Sequence, residues 1–91
     1  LIGPYDLSAS LGWLGDFTCD TYGSAENLVI DVCARHEVSV GVHDVTPSPS
    51  SINDKVTRGY TFIACGMDTT FLSTAISNIT SIDEDRDVYR P

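Results

Sequence analysis

The chain has 91 residues, 42% hydrophobic and 20% charged, the proportions of one small globular domain. Thirteen acidic residues against five basic ones give a net charge of −8, which argues against the basic footprint of a nucleic-acid binder and against binding to anionic membrane surfaces. No apolar run nears the roughly 20 residues that cross a bilayer, and no signal-peptide pattern is present.

The first residues, Leu1 and Ile2, read as the end of a strand cut off by Gly3-Pro4. A polar, glycine-rich stretch is expected through Gly23. Ser24 then suits the cap of a helix whose buried face is Ala25, Leu28, Val29, Val32, Cys33 and His36, the i, i+3, i+4, i+7 spacing of a helical stripe. Residues 38–45 alternate with period two, Val38, Val40 and Val42 on one face and Ser39, Gly41 and His43 on the other, as a strand requires. Ser48 and Pro49 fit the cap and first position of a second helix, with Ile52 and Val56 facing inward and Gly59 ending it. "YTFIAC" is the next strand. A turn over residues 66–70 leads to a third helix, capped by Asp68, that buries Leu72, Ala75, Ile76 and Ile79. "DEDRDVYRP", residues 83–91, is a charged tail expected to be frayed or disordered.

The order strand, helix, strand, helix, strand, helix implies a parallel α/β sheet with crossover helices. Three such units make a poor stand-alone domain, because both sheet edges stay open. They are, however, three-eighths of a (β/α)8 barrel, in which chemistry sits just beyond the carboxyl ends of the strands. Asp6, His43 and the 66–68 turn all occupy that position. The chain does not begin with Met and opens abruptly on a strand end, so it reads as a piece of something longer.

Few side chains are candidates for chemistry. A carboxylate at Asp6, on a Gly-Pro turn after a strand, suits a hard divalent cation or a general base, but equally an Asx turn or helix cap. His43 would point into a barrel near its mouth, as an acid, a base, a substrate contact or a structural histidine. His36 lies near a helix end, where it would complement the dipole. Asp16, Asp20 and Asp68 are better explained as loop or cap residues, and Lys55 and Arg58 as solvated charge on a short helix. Trp13 would either cover a pocket or pack under its loop. The three cysteines, Cys19, Cys33 and Cys65, are odd in number, lack CxxC spacing and have no basic neighbour; they read as small buried hydrophobes and reduced thiols in a cytoplasmic setting. Asn78-Ile79-Thr80 matches the glycosylation sequon, a triplet common by chance.

Four blocks in order, "IGPYDLSASLG", "GDFT", "VGVHD" and "GYTFIACGMDTTFL", resemble the C-terminal third of the HpcH/HpaI aldolase family, the class II pyruvate aldolases represented by 4-hydroxy-2-oxo-heptane-1,7-dioate aldolase. The resemblance runs over residues 1–79. It implies the last three βα units of a (β/α)8 TIM barrel of the phosphoenolpyruvate/pyruvate type, with a domain piece over 1–82. It implies a cytoplasmic carbon–carbon lyase, of the kind used in aromatic compound catabolism, that cleaves 4-hydroxy-2-oxo acids to pyruvate, or a close analogue, and an aldehyde. A divalent cation, Mg²⁺, Mn²⁺ or Co²⁺, would hold the 2-oxo acid. Asp6 matches the family's second metal-binding carboxylate, and the backbone N–H groups of Tyr5 and Asp6 match those that hold the pyruvate carboxylate. His43 matches a position on the aldehyde side of the pocket where apolar residues also occur, so it reads as a specificity contact.

Several family features have no counterpart in the sequence. The first metal-binding glutamate, the arginine at the keto oxygen and the catalytic histidine belong to earlier strands. "TCDTYGSAEN" stands where the family has His-Pro-Glu after "GDFT". No catalytic residue is therefore assigned, and the isolated chain is expected to be inactive. The resemblance also implies a homo-oligomeric parent, trimer or hexamer, in which residues 70–82 can lie on a neighbouring subunit. Two other readings stand beside the aldolase: a non-catalytic truncated product or assembly fragment, and a citrate-lyase-like acyl lyase of the same superfamily. Small-molecule substrate, with no nucleic acid and no membrane, is common to both enzymatic readings.

Overall fold

The computed structural model describes residues 1–81, so the charged tail lies outside the described residues. Helix α1 spans Pro4–Ser10, α2 Asp20–Arg35, α3 Pro49–Arg58 and α4 Asp68–Thr80; strand β1 spans Gly41–Asp44 and β2 Phe62–Cys65. The strands are parallel, with Gly41 opposite Phe62 and Asp44 opposite Cys65. Ile2 forms a parallel bridge to Val42 on the other side of β1. Its N–H donates to the Gly41 carbonyl at 2.8 Å, and its own carbonyl accepts from the His43 N–H at 3.1 Å. β1 thus lies between Ile2 and β2; the sheet is parallel as expected, but it has two strands, the expected first strand is a single bridge at Ile2, and two helices precede β1.

The core is small. Ile2, Val40, Val42 and Tyr60 are buried together, with Leu7, Ile30, Cys33 and Ile63 packed against them. Val40 and Val42 share an inner face as the alternation requires. Val38 does not join them: it is exposed, and the strand begins at Gly41, later than the pattern predicts. A Cβ at Gly41 would overlap the Phe62 ring of the neighbouring strand, so a larger residue there requires that exposed ring to move.

Helix ends are correct where the signal is local. Ser48 caps α3, its Oγ accepting from the Ser51 N–H at 3.1 Å while the Ser51 Oγ accepts from the Ser48 N–H at 2.8 Å. Pro49 opens the helix, and Gly59 closes it in the left-handed region at φ 109°. Other expectations need correction. The stretch before Gly23 contains helix at both ends: Pro4 opens α1, and α2 starts at Asp20 behind Cys19, four residues before the predicted Ser24 cap. Asp68 is the first helical residue of α4 rather than its cap, which is Met67.

The buried face of α2 is also displaced. Its buried residues are Tyr22 and Glu26, with Ile30 and Cys33 partly buried on the same side, whereas Leu28, Val29, Val32 and His36 are exposed. Val56 on α3 is exposed too, while Ile52 is partly covered. On α4 no residue is buried; Leu72, Ala75, Ile76 and Ile79 face outward, Ile79 at 82% exposure. An apolar stripe specifies a face to be covered, and the rest of the described chain supplies nothing to cover these two.

Candidate functional site

A cavity of about 200 Å³ opens beside the carboxyl end of β1, between α1, α2 and α3. One wall is aromatic. Tyr5 and Phe17 meet edge to face with ring centroids 5.1 Å apart, and Phe17 lies 5.4 Å from Tyr22. The loop that brings Phe17 here is tied by Ser8, which is fully buried: its Oγ donates to the Tyr5 carbonyl at 3.0 Å and accepts from the Gly15 N–H at 3.0 Å. Gly12 and Gly15 both take positive φ, which lets the loop turn back. Trp13 is exposed and does not line the cavity; Phe17 has the role considered for it. Asp16 is a loop residue as expected, its carboxyl held below the usual range by the hydroxyl and N–H of Thr18.

The opposite wall is ionic, and the sequence reading missed it. Glu26, at 5% exposure, accepts from the Tyr60 hydroxyl at 2.6 Å and the Arg58 guanidinium at 2.7 Å. Arg58 also donates to Asp54 at 2.9 Å. Partial burial would pull the guanidinium down, but Glu26 and Asp54 outweigh it and raise it. Burial is also the main reason that Tyr22 is pushed up to about 12, with the Glu26 charge adding to it. Tyr60 moves the same way, through burial first and its bond to Glu26 second. Asp44, buried at the end of β1, accepts from the Ser51 hydroxyl at 2.6 Å and pairs with Lys55 at 3.5 Å. Lys55 and Arg58 are therefore structural cations, not merely solvated charge. The available signal was weak: an acidic residue in the middle of an apolar helical stretch, and another ending a valine strand.

The sequence-predicted site residues divide into two groups. Tyr5 and His43 line the aromatic and ionic cavity together. His43 Nε2 lies 2.8 Å from the Gly66 carbonyl, and the Gly66 N–H donates to the Asp44 carbonyl at 2.6 Å, so the ring bridges β1 to the turn after β2. Asp6 lies elsewhere. It sits exposed in the first turn of α1 and lines a shallow cleft with Leu1, Ile2, Gly3 and Val29. Its carboxylate folds back over Gly3, where a Cβ would stand 2.9 Å from Oδ2. The first bond of this helix runs from Leu7 N–H to Gly3 carbonyl at 2.9 Å, so the N–H groups of Tyr5 and Asp6 precede the ladder.

Asp6 is a carboxylate donor of the type hard cations take, but no group of three metal-ligating side chains lies together among the described residues. Cys19 and Cys33 are partly buried and Cys65 is exposed, so the thiols are less enclosed than the composition suggested. No helix among the described residues is long and apolar enough to cross a membrane.

No family model matches the sequence, and no curated protein matches it. Solved structures do. An HpcH/HpaI aldolase/citrate lyase family protein from Burkholderia cenocepacia J2315 is 28% identical with a TM-score of 0.77, over 85% of this chain and 29% of that one. An HpcH/HpaI aldolase from Desulfitobacterium hafniense DCB-2 shares the fold at 20% identity and a TM-score of 0.67, over 93% of this chain and 34% of that one. The chain thus spans about a third or less of the length of the proteins it matches. The resemblance carried by the four sequence blocks and the likeness of the coordinates agree: this chain has the fold of part of an HpcH/HpaI aldolase/citrate lyase family protein.

Proposed function

We propose that the chain works as part of a larger divalent-metal-dependent lyase that cleaves a 4-hydroxy-2-oxo acid to pyruvate, or an analogue, and an aldehyde. The observation that supports this reading is the position of His43 near the carboxyl end of β1 and of Tyr5 and Asp6 just after the parallel bridge at Ile2, in a fold shared with an HpcH/HpaI aldolase/citrate lyase family protein. The N–H groups of Tyr5 and Asp6 orient the substrate carboxylate, since donors ahead of a helix ladder suit an anion. Asp6 would be one carboxylate ligand of the metal, Mg²⁺, Mn²⁺ or Co²⁺, with the remaining ligands supplied by other parts of the enzyme. Such a cation supplies a Lewis acid for charge that develops on the keto oxygen. His43 contacts the aldehyde half. The parent would be a homo-oligomer, a reading that the exposed apolar side chains of α4 support.

The test is Asp6→Ala in the full-length parent. Metal-dependent pyruvate release should fall by more than about a hundredfold, the order of loss when an electrostatic stabiliser of the transition state is removed. Wild-type turnover and metal affinity in that variant would remove the assignment. The 91-residue chain alone should release no pyruvate, since the family's first metal-binding glutamate, its keto-oxygen arginine and its catalytic histidine have no counterpart in it.

A further inference from the structure

Three consecutive residues at the end of β1 hold the turn that launches α4. His43 Nε2 lies 2.8 Å from the Gly66 carbonyl, the Asp44 carbonyl accepts from the Gly66 N–H at 2.6 Å, and the Val45 carbonyl accepts from the Thr70 hydroxyl at 3.1 Å. A carbonyl oxygen only accepts hydrogen bonds, so the first contact requires a proton on Nε2. Gly66 is where the backbone changes direction. Its φ of 71° lies in the left-handed region, and a Cβ there would overlap the Phe71 ring, so that ring closes over the turn from the helix side.

Beyond this turn α4 has no cover. Thr70 is partly buried, and every residue from 71 to 80 is exposed. Among the described residues, the Thr70 hydroxyl makes the one side-chain hydrogen bond from α4 to a segment before its own cap, and no ion pair reaches the helix. A helix of 13 residues with so little to pack on is marginal by itself, and its direction depends on how its first turn is tied. The His43 bond has a particular place among those ties. The Gly66 carbonyl belongs to the peptide plane that leads to Met67, the cap of α4, so the imidazole fixes rotation at the residue of the turn that has no side chain to restrict it.

We propose that His43 is the latch of a pivot: its Nε2–H pins the Gly66 carbonyl, and release of that bond frees α4 to turn about Gly66 while the pairing of β1 with β2 stays formed. The latch couples the end of β1 to the helix that carries the exposed apolar side chains. It does not rest on the aldolase reading.

Hydrogen exchange on the 91-residue chain, followed by NMR, tests this. The amides of Gly66 and Phe71 report the turn, and that of Thr61, which donates to the Val40 carbonyl at 2.8 Å, reports the opposite end of the strand pair. His43→Leu should speed exchange at Gly66 and Phe71 roughly 2- to 12-fold, the ratio one net hydrogen bond supplies, with Thr61 unchanged. His43→Gln, whose amide keeps a donor for the Gly66 carbonyl, should restore the original rates. No acceleration, equal acceleration at all three amides, His43→Gln behaving as His43→Leu, or no protection of Gly66 in the unsubstituted chain overturns the proposal.

A second measurement reads the ring itself. Long-range ¹⁵N–¹H NMR of histidine-labelled His36→Asn protein leaves His43 as the single imidazole of the two in the sequence. At about pH 8, above the ordinary titration range of imidazole, the proton should reside on Nε2. A proton on Nδ1, or an even mixture, overturns the latch. Neither measurement involves turnover or a metal, so both results stand if the aldolase reading fails.

Discussion

Helices α3 and α4 each follow a strand of the same sheet, yet they are held very differently. α3 has mainly polar residues and is fastened at three levels: Ser51 and Lys55 to Asp44, Arg58 to Glu26, and the Ser48 cap to its own first turn. α4 has Phe71, Leu72, Ile76 and Ile79, and all are exposed. Its fastening is at its first turn, where the Thr70 hydroxyl donates to the Val45 carbonyl at 3.1 Å and accepts from the Met67 N–H at 3.1 Å. The more apolar helix is thus the less covered one. Burial follows the presence of a partner, and charge can anchor a helix that has little apolar surface to offer.

The strongest way to break this contrast is to remove the anchor. Glu26→Ala takes the partner from the buried Tyr60 hydroxyl and from Arg58. Stability should fall by about 3 kcal/mol, the low end for a broken buried pair because Arg58 is half-exposed and keeps Asp54. Urea denaturation followed by circular dichroism measures it; a loss below about 1 kcal/mol would mean that the α2–α3 contact is held by something else.

A second test uses pH. Tyr22 binds its proton more tightly when folded, up to about 12 from an ordinary 10.0, so the unfolded chain ionises first. Its contribution is complete below about pH 10 and is lost as pH rises through about 12, with Tyr60 acting in the same direction. Alkaline unfolding should begin in that window, and Tyr22→Phe should reduce its slope. An unchanged slope in the variant would place the effect elsewhere.

The smallest effect should come from α4. Ile76→Ala is expected to change stability of the chain by no more than about 0.5 kcal/mol, the range of surface substitutions. A loss of about 2 kcal/mol or more, the cost of truncating a buried isoleucine, would show that another chain covers this face in solution. Repeating the measurement over a range of protein concentrations would identify that cover as self-association.

What was legible in the sequence follows from how far apart the interacting groups are. The α3 cap at Ser48, Pro49 at its start and Gly59 at its end are decided within four or five residues, and they stand where expected. The parallel sheet was legible from the alternation of elements, and the position of His43 from the alternation of β1. Ser24 failed as a cap because a good cap residue also sits comfortably inside a first or second turn, where Tyr22 and Glu26 had already committed the helix. Glu26 could not be read as buried, because its partners Arg58 and Tyr60 lie 32 and 34 residues away. Asp44 and Lys55 were hidden in the same way.

Local physics therefore determined the order of elements, several of their ends and which residues stand at strand termini, because backbone hydrogen bonding and side-chain periodicity act over a few residues. Tertiary structure decided which faces are covered, which charges are paired and which site residues share a cavity. Those depend on groups that meet only when distant segments fold together. Tyr5 and Asp6 are neighbours in the chain, yet one lines the cavity with His43 and the other lies at the cleft beside Leu1, because successive positions on a short helix point in different directions.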